Sequence, residues 1–207
     1  MTEIFNNQIS IENARILIFK IDKTVEELFS QLEFPDINEF SKLVSDKRRL
    51  EYLGVRIALK NLLGVEKKIV YNEEGKPVFI DRSFHISVSH SGSWIAVVAH
   101  PDRQVGIDIE VPTEKIKKLY KRFLNETEQK ELSNGENLNQ LMLAWSAKEA
   151  LYKIIGKEAV DFANQLHIFP FEIKNEGIFT AEHVSTKQRY NLHYTQNEAY
   201  TLVFCIV

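Results

Sequence analysis

The stretch Val105-Gly106-Ile107-Asp108-Ile109-Glu110-Val111 (VGIDIEV) alternates apolar and acidic residues with a period of two. That period marks a β-strand, because successive side chains leave a pleated backbone on opposite faces. The isoleucines share one face. Asp108 and Glu110 share the other, with Cα atoms about 6.5–7 Å apart. Acidic residues are poor strand formers, and like charges on one face repel. Either a cationic partner offsets the repulsion or the acidic face is turned to solvent. Taken alone, the solvated strand is the commoner outcome.

On either side of this strand, helical and strand patterns interleave. Upstream, residues 14–21 (ARILIFKI) read as a strand and residues 23–32 as a short helix. Residues 40–63 read as one long helix stopped by Gly64. Short strands at 69–71 and 78–80 flank Gly75-Lys76-Pro77, and a meander follows with strands at 84–89, 94–99 and 105–111. Downstream, residues 115–123 read as an amphipathic helix with Ile116, Leu119, Tyr120 and Phe123 on one side. Asn125 or Thr127 caps a short helix to Leu132, and residues 137–155 form a second long helix stopped at Gly156. Strands are expected at 166–169, 171–174, 178–183, 190–194 and 200–207. The strands connect mostly as hairpins, which favours an α+β fold over a doubly wound parallel sheet.

Composition narrows the class. The chain has 207 residues, 44% of them hydrophobic, which suits one compact domain or two small halves. A net charge of −3 gives no support for nucleic-acid binding. The single cysteine, Cys205, rules out a disulfide within the chain, and a reducing cytoplasm is the simpler expectation. The opening MTEIFNNQIS lacks a secretory pattern, and no apolar run is long enough to span a bilayer.

Four further features carry possible chemistry. Asp108 and Glu110 offer oxygen ligands with no His or Cys nearby, the preference of a hard ion such as Mg²⁺, which completes its shell with water and phosphate oxygens. In Trp145-Ser146-Ala147-Lys148-Glu149-Ala150-Leu151-Tyr152-Lys153 (WSAKEALYK), Trp145, Glu149 and Lys153 recur every four residues and line one helix edge. The plain alternative is a surface ion pair worth about 0.2–0.5 kcal/mol. In SVSHSG, Ser89 and His90 end a strand at a tight turn; no acid is placed by sequence to orient His90 as a base, so an anion contact suits it better than serine-hydrolase chemistry. Arg48, Arg49 and Arg56 put guanidinium groups, well suited to phosphate, along the first long helix beside Lys47, and Lys76 adds another cation.

Taken in order, KRRLEYLGVR, GKP, SVSHSG, GIDIE and WSAKEALYK resemble the 4′-phosphopantetheinyl transferases, in the longer, surfactin-synthetase-activating branch. The likeness runs from about Lys47 to Lys153, and the pairing of GIDIE with W-x-x-K-E-x-x-x-K is its most specific part. It implies two similar α+β halves packed as a pseudo-dimer in a monomer, with the site between them. Residues 1–104 would bind the nucleotide and 3′-phosphate of coenzyme A; residues 105–207 would carry the metal-binding acids and dock the carrier. It implies Mg²⁺-dependent transfer of the phosphopantetheine arm to a serine of an acyl or peptidyl carrier protein, releasing 3′,5′-ADP. Asp108, Glu110 and Glu149 match the family's metal-binding acids, and Lys153 its phosphate-contacting lysine. Arg48, Arg56, Gly75, Lys76, Pro77, Ser89 and His90 match coenzyme-binding positions; Arg49 stays possible for Arg48, and Lys42 for a further basic contact upstream. Glu149, or a metal-bound water it orients, is the candidate base for the carrier serine and Glu128 the runner-up. Lys115, Lys117, Lys118, Lys121 and Arg122 offer a basic docking surface for an acidic carrier. Two other functions suit the same residues, a Mg²⁺-dependent nucleotide or diphosphate hydrolase and a non-catalytic adaptor for coenzyme A or a carrier.

Overall fold

The computed structural model describes residues 6–132, 135–159 and 161–207. Met1 to Phe5, the start of the MTEIFNNQIS segment, lie outside them. The chain divides into two compact units, Met1–Arg103 and Gln104–Val207.

In the first unit, β1 (Asn6–Ile11) and β2 (Ala14–Lys20) form a hairpin. Its two turn residues, Glu12 and Asn13, have φ of 48° and 69°. That left-handed pair matches the twist of the flanking strands. Strand β1 is absent from the sequence reading, because NNQISI is too polar to show its alternation. Helix α1 (Val25–Phe29) starts from a Thr24–Glu27 capping box. Residues 40–63 are not one helix. They divide into the end of α2 (Ile37–Ser41) and all of α3 (Asp46–Leu63), because the Ser45 side chain accepts from Arg48 N and starts a fresh helix. Helix α3 ends at Gly64, whose φ of 74° favours a residue without a Cβ. The hairpin of β3 (Ile69–Tyr71) and β4 (Pro77–Phe79) follows, then β5 (His85–Ser91) and β6 (Trp94–His100). The main sheet runs β1-β2-β6-β5, all antiparallel. Helix α3 lies on it through Leu53, Ile57 and Leu62, which join Leu17, Phe19, Ile95 and Val97 in one core.

The second unit opens with β7 (Val105–Glu110). The expected helix over 115–123 is two 3₁₀ turns, Glu114–Lys118 and Tyr120–Arg122. Their bonds close over three residues, as from Leu119 N to Ile116 O at 2.9 Å and from Arg122 N to Leu119 O at 2.8 Å. Ile116 and Phe123 are buried while Leu119 is exposed, so the apolar stripe is not one helical face. Helix α4 (Glu126–Glu131) is capped by Asn125 and α5 (Leu138–Ile155) by Asn137. A 3₁₀ turn (Gly156–Ala159) and α6 (Phe162–Gln165) lead to β8 (Leu166–Ile168), β9 (Glu176–His183), β10 (Gln188–Gln196) and β11 (Thr201–Ile206). The strand expected at 171–174 is irregular. Its backbone bonds the Tyr194 hydroxyl, which accepts from Lys174 N and donates to Glu172 O, while Phe171 stacks on Phe179 at 4.2 Å.

The second sheet runs β7-β11-β10-β9-β8 with every pairing antiparallel. Each unit therefore contains the same series: a strand, an 18-residue helix, then a hairpin whose last strand pairs beside the first. In the first unit β2 is flanked by β6 and then β5; in the second, β7 is flanked by β11 and then β10. The α+β class read from the sequence is the architecture observed.

Gly106 sets how closely α5 approaches β7. A Cβ there would lie 2.1 Å from the Ala150 carbonyl oxygen and 2.9 Å from Ile154 Cγ1. Neither the helix backbone nor a packed isoleucine yields that distance without moving the element. Gly106→Ala is therefore expected to lower stability by about 1–3 kcal/mol, the usual cost of overpacking. Thermal denaturation of the variant measures the loss.

Candidate active site

Strand β2 turns Leu17 and Phe19 toward its helix; β7 turns Asp108 and Glu110 toward α5. The acidic face is therefore not the solvated one. Asp108 is 4% exposed. Ile107 and Ile109, on the opposite face, are fully buried as well.

The spacing of the two motifs explains how they meet. Four residues of helix rise about 6 Å and two residues of strand about 6.6 Å. Trp145 and Lys153, about 12 Å apart along α5, therefore bracket the roughly 6.6 Å between Glu110 and Asp108, and the long lysine side chain closes the difference. Trp145 Nε1 donates to Glu110 Oε1 at 3.3 Å. Two turns along, Lys153 Nζ donates to Asp108 Oδ1 at 2.9 Å and to the Ile107 carbonyl at 2.7 Å. Glu149 lies between them on the helix edge. Burial pushes its carboxyl up to about 7; Asp108 and, more weakly, Glu110 push the same way, against Lys153. The carboxyl of Glu149 thus feels both strand acids and the lysine.

Three carboxyls face one lysine, so the fully ionised group carries a charge of −2. Burial first, and then that deficit of positive charge, holds the Glu149 carboxyl above the usual range. The donor atoms are all oxygens, which suits Mg²⁺. Among the described residues, no three His, Cys, Asp or Glu side chains are grouped to hold a metal by themselves. The fit is to an ion taking one or two of these carboxylates and completing its shell with water and substrate oxygens.

Glu128, the alternative base, is not available for that role. It is fully buried: Oε1 accepts from Ile168 N at 2.8 Å, Oε2 accepts from Asn125 N at 3.0 Å, and both oxygens lie 2.8 Å from Lys148 Nζ. Lys148 is the residue sequence reasoning missed. It is fully buried and also donates to the carbonyls of Phe123, Phe162 and Leu166. The signal was present, since Lys148 falls in helical register with Leu141, Ala144 and Leu151 on the apolar face of α5.

In the first unit the basic motifs converge on another unforeseen residue, Glu51. Its carboxylate lies 3.5 Å from Arg48 Nη1, 3.5 Å from His90 Nδ1 and 3.9 Å from Lys47 Nζ. An acid thus stands beside His90 after all. Ser89 follows the opposite face of β5 from His90, so the two side chains make no nucleophile–base pair. Arg49 turns away to the Leu43 carbonyl, Asp46 and the Phe40 ring. Arg56 stacks 3.3 Å over the centroid of Tyr52. Gly75 has a φ of 78° at the tip of the β3–β4 turn, where the Asn72 side chain accepts from Lys76 N at 2.8 Å; Lys76 Nζ pairs with Glu74 at 3.0 Å, and Pro77 opens β4 opposite Tyr71. Lys42 pairs with Glu39 on an exposed turn.

Residues 104–205 match the model of the 4′-phosphopantetheinyl transferase superfamily. The chain is 32% identical over 145 residues to the 4′-phosphopantetheinyl transferase gsp of Aneurinibacillus migulanus, covering 58% of this chain and 59% of that one. It is 33% identical over 119 residues to the 4′-phosphopantetheinyl transferase AcpT of Salmonella typhimurium, covering 54% and 62%. It is 35% identical over 89 residues to the 4′-phosphopantetheinyl transferase Sfp of Bacillus subtilis, covering 41% and 39%. The chain thus spans about two-fifths to three-fifths of the length of these curated relatives.

Proposed function

We propose that this chain, whose residues 104–205 match the 4′-phosphopantetheinyl transferase superfamily, transfers the 4′-phosphopantetheine arm of coenzyme A to a serine of an acyl or peptidyl carrier protein. The observation that carries the reading is the meeting of Lys153 with Asp108 while Glu149 senses both strand acids. That cluster joins the two motifs most specific to the family.

In the proposed reaction the carrier serine oxygen attacks the phosphorus that bears the pantetheine. A new P–O bond forms, the bridging P–O bond of the diphosphate breaks, and 3′,5′-ADP leaves with the electron pair. Phosphoryl transfer of this kind needs positioning and charge stabilisation more than covalent help from the protein. Glu149, or a water it orients, accepts the serine proton. Lys153 supplies a fixed positive charge for the phosphate oxygens, held in place by Asp108 and the Ile107 carbonyl. Trp145 orients Glu110. One or two of Asp108, Glu110 and Glu149 would hold Mg²⁺, which when bound would neutralise charge on the diphosphate.

The first unit supplies coenzyme binding in this reading, through Arg48, Arg56, the Gly75-Lys76-Pro77 turn, Ser89 and His90. Lys115, Lys117, Lys118, Lys121 and Arg122 on the 3₁₀ turns present a basic surface to an acidic carrier. The protein acts as a cytoplasmic monomer. Among the described residues no helix is long and apolar enough to cross a membrane.

One experiment tests the proposal: coenzyme A, Mg²⁺ and an apo carrier are incubated with the protein, and the carrier is weighed by mass spectrometry. A serine-linked phosphopantetheine is the expected product. Free 3′,5′-ADP beside unmodified carrier would point to a hydrolase instead, and binding without either product to an adaptor.

A further inference from the structure

The geometry points to Glu51 as a positioning residue that sets Arg48 and His90 as a pair for the 3′-phosphate of coenzyme A. This inference rests on the coenzyme-binding role proposed for the first unit. Glu51 sits on α3, one turn after Lys47 and Arg48, and its side chain is only 10% exposed. By contrast Arg48 is 68% exposed and Lys47 79%. The carboxylate is therefore the buried fixed point and the cations are the mobile partners. His90 reaches the same carboxylate from β5, across 39 positions of sequence.

Each contact is 3.5 Å or longer, so the carboxylate orients the cations without engaging them in tight hydrogen bonds. A carboxylate beside Nδ1 holds the ring proton on that nitrogen and turns the Nε2 edge away from α3. A ring lying between Glu51 and a phosphate donates to both as an imidazolium. With Lys47 and Arg48 against one carboxylate, the cluster keeps a net charge of +1 even with His90 neutral, so Glu51 does not cancel its attraction for an anion. It limits where the guanidinium and imidazole stand before the phosphate arrives, which removes ordering cost from binding.

The test compares two substrates that differ only in the 3′-phosphate. Glu51→Gln, nearly the same shape without the charge, is expected to raise KM for coenzyme A about tenfold, the scale of one charge-assisted hydrogen bond. KM for 3′-dephospho-coenzyme A and kcat for both substrates stay within about twofold of wild type. Glu51→Asp, which keeps the charge on a shorter arm, recovers part of the loss. Arg48→Ala is non-additive with Glu51→Gln if both act on one phosphate. Equal rises in KM for the two substrates would overturn the proposal, and so would a fall in KM for coenzyme A, which would make Glu51 a simple repulsive charge. If wild type modifies no carrier, the transferase reading fails on its own. Calorimetric affinities for 3′,5′-ADP against 5′-ADP then carry the same comparison, with selective weakening of the 3′,5′ form in Glu51→Gln expected and equal weakening overturning it.

Discussion

Glu149→Gln is expected to slow carrier modification by about 10²- to 10⁴-fold, the range attributed to a positioned general base. The same variant should be at least as stable as wild type at neutral pH. Both halves of that expectation follow from the site. The carboxyl is half-buried beside Asp108 and Glu110, and its ionisation is opposed by burial and by both neighbours. Its folded value, about 7, lies above the ordinary 4.5, so between those values the folded state holds a proton that the unfolded state has released. Stability of the metal-free protein therefore falls as pH rises from about 4.5 through about 7. Glutamine keeps the shape, cannot ionise, and removes that slope. A residue kept for structure would lose stability on replacement; one kept for chemistry loses rate and gains or holds stability. Denaturation curves at several pH values, run beside the mass assay, separate these outcomes. Near-normal turnover in Glu149→Gln would remove the base from the mechanism.

The parts of the fold and site legible in the sequence are those set by local chemistry. Asn137 and Gly156 bracket α5 as read, because a side-chain acceptor and a glycine satisfy or release the helix ends without help from elsewhere. That Asp108, Glu110, Glu149 and Lys153 belong together was legible only through the family resemblance of GIDIE and WSAKEALYK. What was hidden is long-range or depends on competition. Glu51 and His90 lie 39 positions apart, and no periodicity links them. The split at residues 42–45 turned on whether Ser45 would cap or continue a helix whose apolar spacing ran straight through it. The stretch 115–123 had the right residues for an amphipathic helix, but Leu119 is exposed and the chain settles into tighter turns. In the same way, Lys148 reads as a charge on a surface helix until its four oxygen partners are known.

Those partners make Lys148→Met the largest expected change in stability. The Lys148 ammonium is fully buried, 2.7–2.8 Å from the carbonyls of Phe123, Phe162 and Leu166 and from Glu128. Burial lowers its pKa to about 8, against the pull of Glu128, so at neutral pH it remains an ammonium. Its contacts tie α5 to the end of the second 3₁₀ turn, to the capping box of α4, to α6 and to the start of β8. Methionine fills similar space but leaves the Glu128 carboxylate buried without its counter-ion and three carbonyls without a donor. Breaking such a pair from one side costs about 3–5 kcal/mol. Over a unit of this size that is a fall in Tm of at least about 10 °C. Adding Glu128→Gln to the variant should recover part of the loss. The amide removes the stranded charge and its oxygen still accepts from Ile168 N, while the bond that Oε2 accepts from Asn125 N is lost, so the recovery is partial. Melting curves of the two single variants and the double variant form a cycle that isolates the pair. A Lys148→Met protein as stable as wild type would mean that the buried cation is replaceable by packing alone. The family-specific W-x-x-K-E-x-x-x-K motif would then owe its first lysine to something other than the fold. If the loss is as large as expected, the motif divides cleanly: Lys148 builds the unit, while Trp145, Glu149 and Lys153, on the adjoining edge of the same helix, line the acidic strand.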